Sequence, residues 1–177
     1  MNITTTAGTT PAAPDWLRDL ADARTDYEER LGWPVTIEVQ HRRLVAAVGE
    51  RMDAITVPAR LGRHVLAELQ IAMLAGPVIA EPGEWWTFLT EPATAPHPAV
   101  PAELCQARVR VTPRGAHVVI PPRRDAQEWI KRPEPQRTLP PWSVVIGVTR
   151  RVAALTSALA AARRSPLPTA DTAQVMT

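Results

Sequence analysis

Apolar and polar positions alternate along this chain with two different periods, and the places where the period changes divide it into elements. Leu17, Leu20, Tyr27 and Leu31 recur at helical spacing, while Arg18, Asp22, Glu28 and Glu29 fall on the opposite side. This predicts a helix over 15–31 with Asp15 as its N-cap and Gly32 as a left-handed C-cap. Trp33-Pro34 forces extended chain, and Val35, Ile37 and Val39 then alternate with Thr36, Glu38 and Gln40 as a half-buried strand. A turn at His41-Arg42 leads to a second strand with Leu44, Ala46 and Val48; Gly49-Glu50 turns the chain into a third over Ala54–Val57. The three read as an antiparallel meander.

Pro58 suits a helix start, and Leu61, Val65, Leu69 and Ala72 or Met73 stripe a helix over 60–75 that Gly76-Pro77 stops. Val78–Ala80 and Trp85–Leu89 read as strands joined by the turn Glu81-Pro82-Gly83-Glu84. Residues 91–101 hold four prolines and read as a loop; 102–107 can form a short helix. Arg108–Val111 and Ala116–Ile120 bracket Thr112-Pro113-Arg114-Gly115 as a predicted hairpin. After a proline-rich stretch with an edge strand at 128–131, Trp142, Val145, Ile146, Thr149, Val152, Thr156 and Leu159 share one face of a helix over 142–164. The expectation is one α+β domain over 14–164, a mainly antiparallel sheet packed by an N-terminal, a central and a long C-terminal helix. Residues 1–13 and 165–177 read as disordered tails.

Composition narrows the setting. The chain has 177 residues, 45% of them apolar, and a single cysteine, Cys105, so an internal disulfide is impossible. Cys105 reads as a small buried residue of the short helix. Without a secretory signal pattern at the N-terminus, and with the apolar stretch Leu66–Ala80 broken by Glu68, Gln70, Gly76 and Pro77, a cytoplasmic protein with no membrane partner is expected. Residues 1–104 carry 8 basic and 14 acidic side chains, whereas 105–165 carry 12 basic and 3 acidic, a local excess of nine positive charges. Such an imbalance permits an anionic partner.

Familiar catalytic patterns are missing. His41, His64, His97 and His117 share no metal-ligand spacing with one another or with Cys105, so no metal site and no cofactor are expected. The lone lysine, Lys131, lies outside any glycine-rich phosphate loop, and neither a dinucleotide fingerprint nor a G-x-S-x-G elbow occurs. The candidate binding residues are Arg108, Arg110, Arg114, Arg123 and Arg124 together with Trp85 and Trp86. Arginines beside aromatic rings on a sheet can hold phosphates and stack bases. Their ordinary alternative is to cover sheet edges. Trp85 and Trp86 are adjacent on a strand, so one faces each way.

Helix, Gly32-Trp33-Pro34-Val35, Arg60-x-Gly62 before a helix, a strand at Trp85–Leu89, then Val118-Val119-Ile120-Pro121-Pro122 and Trp129 follow one another in an order that resembles the N-terminal domain of actinobacterial bifunctional DNA primase/polymerase proteins, of the archaeo-eukaryotic primase type. The resemblance spans about residues 21–133. It implies a D-x-D pair ending a central strand, where this chain has Thr56 and Pro58, and a further acid where it has Arg110. The family's histidine falls near Trp85 or Trp86. The resemblance therefore implies a degenerate member, its enzymatic activity in doubt and leaning towards none. It would act as a nucleic-acid- or nucleotide-binding module or, alternatively, as a protein-interaction scaffold or homodimer.

Overall fold

Two antiparallel sheets divide the strands between them out of chain order. The computed structural model describes residues 13–94 and 100–164. Its elements are α1 (Asp15–Leu31), β1 (Val35–Glu38), β2 (Arg43–Ala47), β3 (Asp53–Pro58), α2 (Ala59–Ile71), β4 (Val78–Glu81), β5 (Trp85–Thr90), α3 (Ala102–Gln106), β6 (Arg110–Val111), β7 (His117–Ile120), β8 (Trp129–Lys131) and α4 (Trp142–Arg164). The first sheet runs β1-β2-β7 and the second β6-β3-β5-β4-β8. The fold is α+β, with the three main helices where the periodicity puts them. The expectations for the two chain ends and for His97 lie outside the described residues.

Helix α1 ends as its sequence dictates. Gly32 takes φ 66°, and its N–H and that of Trp33 bond back to Glu28 O and Tyr27 O. A left-handed residue costs glycine little, which is why the helix stops there. Its start is capped by Pro14 rather than Asp15, which is already helical. Leu20 and Tyr27 of α1 pack with Trp33, Val35, Leu44, Ala46, Val118 and Ile120 into a first core over the three-stranded sheet. Tyr27 stacks on Trp33 at 6.0 Å with the rings 3° from parallel, and Trp33 meets Trp129 at 6.4 Å. The Tyr27 hydroxyl donates to Pro121 O at 2.8 Å and accepts from the Trp129 indole at 3.3 Å. Burial pushes this phenol up to about 12, with the Trp129 bond opposing the shift.

A second core lies between one face of the five-stranded sheet and helices α2, α3 and α4. Ile55, Val57, Val78 and Phe88 contribute from the strands; Leu61, Val65, Leu69, Leu104, Val145 and Val152 contribute from the helices.

Several expectations are corrected. The meander breaks after its first pair: β2 joins β7, while β3 leaves for the other sheet to pair with β5 and β6. The predicted hairpin is likewise absent, because β6 pairs with β3 and β7 with β2. Both links thus cross between sheets side by side, held by bonds from Val48 N to Ala116 O and from Gly115 N to Val48 O, each 2.9 Å. The first strand stops before Val39, which enters a 3-10 turn and is exposed, since Arg42 at φ 50° reverses the chain. Helix α2 ends at Ile71, because Met73 takes φ 57°; Met73 is consequently exposed rather than on the buried stripe. Cys105 is exposed, and its neighbour Leu104 fills the core position.

Helix α4 is a longer apolar stretch than the interrupted Leu66–Ala80 run. By length and composition alone, Trp142–Arg163 could cross a membrane. Here its first half packs on α2 and α3, and Arg151 and Arg150 reach Glu68 and Glu103. Leu155 and Leu159 in its second half are exposed.

Candidate functional site

The face of the five-stranded sheet turned away from α2 is only partly covered. Ala54, Ile79 and Leu89 join the first core. Beyond them the ladder sets Ile79, Thr87, Thr56 and Arg110 in one cross-strand row, and Glu81, Trp85 and Pro58 in the next. Directly opposed residues project to the same side of a sheet, so these two rows form one surface. A cleft of about 590 Å³ opens above it, with Thr56, Thr112, Ile79 and Glu81 on one wall and Arg42, Arg43, His117 and Val119 on the other. The second wall belongs to β7, the edge of the three-stranded sheet, and to the turn before β2.

Hydrogen bonds tie the floor together. Thr56 and Thr87 share a bond of 2.7 Å between their hydroxyls, and Thr87 donates to Glu81. At the end of the row the Arg110 guanidinium lies over the Trp85 ring, 4.3 Å from its centroid. An arginine at this distance is held by the electron-rich ring face while its N–H groups stay free to bind outward. Across the cleft the Arg43 guanidinium pairs with Glu38 and, with smaller help from His41, holds that carboxyl below its ordinary range. The Arg42 guanidinium lies 5.1 Å from the Trp16 ring.

Of the residues singled out in the sequence, Arg110 and Trp85 come together beside the cleft. Trp86 faces the other way, packed on Gly62 of α2 with the second core. Arg114 spans from the crossing link to donate to Ala93 O at 2.6 Å, while Asp53 accepts from Ala93 N at 2.8 Å; the two clamp Ala93 in the loop after β5 through the peptide groups on either side of it. Arg108 has φ 60° and precedes the strand, so strand alternation does not put it on Arg110's side. Arg123 makes two 2.9 Å bonds to Asp125, lowering that carboxyl, and Arg124 pairs with Asp26 of α1. Both belong to a separate surface hollow that also holds Asp19 and Asp22, an acidic setting poorly suited to phosphate.

Sequence reasoning missed Glu81, Thr87, Arg42, Arg43 and His117. Glu81 reads locally as a turn residue; only the register of β4 on β5 carries it opposite Trp85.

Thr56, Pro58 and Arg110 therefore sit on one face, with Thr56 directly opposite Arg110. Among the described residues no group of three or more His, Cys, Asp or Glu could hold a metal ion. The segments that carry the resemblance are largely packing residues: Trp33, Val118, Ile120 and Trp129 fill the first core, and Gly62 admits Trp86. Compared with known proteins, the chain matches no family model, no curated protein and no solved structure.

Proposed function

We propose that the chain is a non-catalytic module of primase/polymerase type whose inter-sheet cleft binds a nucleotide, free or at the end of a single strand. The observation that carries this reading is the Arg110 guanidinium laid over Trp85 at the end of a hydroxyl-floored row. Arginine so held presents several N–H donors to a phosphate, and a volume of about 590 Å³ suits one small ligand better than a duplex. Arg42, Arg43 and His117 add donors from the opposite wall. Thr56 and Pro58 offer no carboxylate to a divalent ion where the resembled family has its D-x-D pair, and the Arg110 cation repels one, so those positions do not supply the paired ligands of metal-assisted transfer.

The test is a titration of the protein with nucleoside triphosphates and with a labelled single-stranded oligonucleotide at two salt concentrations. Binding at low salt that weakens as salt rises is expected, because phosphate contacts release counterions. Arg110→Ala lowers affinity about tenfold. Absence of binding to either ligand at low salt rules the reading out, and extension of a primed template would overturn its non-catalytic part.

A second reading, a protein-interaction scaffold, is favoured by one observation. Leu155 and Leu159 on α4 are 59% and 61% exposed, an apolar row that a partner or a second copy could cover. Sedimentation showing a strict monomer, with no cross-linked partner, counts against it.

A further inference from the structure

The direction of the hydrogen bonds along the cleft floor sorts ligands further. A threonine hydroxyl has one hydrogen to give. Thr87 gives its hydrogen to Glu81, so the bond between Thr56 and Thr87 must be donated by Thr56. Thr56 has then spent its own hydrogen and offers the cleft only lone pairs. Glu81 is half-buried in the same wall, and Thr87 engages one of its oxygens; among the described residues no hydrogen bond or ion pair engages the other. Among the described residues no cation pairs with it: Arg43 is paired with Glu38, Arg42 lies near the Trp16 ring, and Arg110 lies over Trp85 beside the cleft. Thr56 and Glu81 thus present acceptors to the cleft, while Arg42, Arg43 and His117 across from them present donors.

A ligand that satisfies both walls carries negative charge at one end and neutral hydrogen-bond donors at the other. Phosphate meets Arg110 at the end of the row and the donors of the second wall. A carboxylate facing a pair of adjacent hydroxyls can accept from both, as acidic residues do with ribose in dinucleotide sites. We infer that Glu81, positioned by Thr87, accepts hydrogen bonds from the ribose hydroxyls, so that the cleft selects ribonucleotides over 2′-deoxyribonucleotides. This rests on the nucleotide reading above and narrows it to one sugar.

The full chain is titrated in EDTA with each of the four ribonucleoside triphosphates and with its 2′-deoxy counterpart, followed by tryptophan fluorescence. The wild-type protein binds the ribo form about tenfold more tightly, the loss expected when a charged acceptor is left without its donor. Glu81→Gln brings the ratio to about one, with circular dichroism reporting that the variant is folded. Equal wild-type affinity for the two sugars overturns the inference and leaves the nucleotide reading standing. Retention of the ratio in a folded Glu81→Gln protein also overturns it. Failure of every nucleotide to bind at low salt removes both.

Discussion

Gly62 of α2 lies against the indole of Trp86 so closely that a β-carbon on it would come 2.8 Å from the ring. The glycine is buried in the helix, and the half-buried ring packs against it from the sheet. Gly62→Ala should therefore destabilise the fold by about 1–3 kcal/mol, the usual range for overpacking. Urea unfolding of the two proteins measures this. A neutral substitution would mean that helix and sheet can separate without loss.

The two adjacent tryptophans of β5 should separate in their effects. Trp86→Ala empties a place in the second core and should cost about 2–4 kcal/mol while sparing any nucleotide binding by the folded fraction. Trp85→Ala removes the platform under Arg110; it should cost about 1 kcal/mol of stability and weaken nucleotide binding about tenfold. Paired melting and binding curves test this, and a reversed pattern would place the binding surface on the wrong side of the sheet.

What was legible in the sequence was whatever is decided within a few residues. The left-handed Gly32, the turn before Trp85 and the full extent of α4 follow from local signals that the tertiary structure leaves intact. Thr112-Pro113-Arg114-Gly115 shows the limit. A turn forms there, but the same four residues serve a hairpin or a crossing between sheets, and the choice is made by β2 and β3, more than fifty positions earlier. The candidate site divides in the same way. Arg110 and Trp85 could be picked out as residue types, whereas Glu81 and Thr87 acquire a role only through strand register. Arg123 and Arg124 looked equivalent to Arg110 until Asp125 and the distant Asp26 were found to engage them. The short helix α3 offered too few residues for a stripe, so Cys105 and Leu104 could not be told apart.

Tyr27 supplies a clean titration, because it is the sole tyrosine in the chain. Its phenol is pushed up from 10.0 to about 12 by burial. A group whose pKa is raised by folding holds its proton more tightly in the native state. The associated stability is complete below the unfolded value near 10 and is lost as pH rises towards 12. Alkaline difference absorbance should accordingly show no tyrosinate while the protein stays folded at pH 10, and an abrupt signal on unfolding. Tyr27→Phe should abolish that signal and cost about 1–3 kcal/mol, since Pro121 O loses its buried donor. Half-titration near pH 10 in the folded protein would mean that water reaches the phenol.

Helix α4 offers the last prediction, because its two halves have different surroundings. Val145, Val148 and Val152 are buried against α2 and α3, whereas Leu155 and Leu159 are exposed; nearby, Ala153 is buried and Thr156 half-buried. Propensity alone would hold the whole helix equally well, since its second half is rich in alanine and leucine. Packing does not, and packing supplies most of the stability of a helix in a folded protein. Val145→Ala should cost about 2 kcal/mol, whereas Leu155→Ala and Leu159→Ala should each stay within about 0.5 kcal/mol. Amide hydrogen exchange should follow the same gradient, slow through Ala153 and fast beyond Leu155. The ion pairs Glu68–Arg151 and Glu103–Arg150 lie on exposed side chains and cannot level it, because such pairs contribute at most about 1 kcal/mol and salt screens them. If Leu155→Ala proves as costly as Val145→Ala, or exchange is uniformly slow along the helix, the outer half is covered in solution by something other than this chain's own core. The scaffold reading would then displace the nucleotide-binding one as the better account of what the protein does.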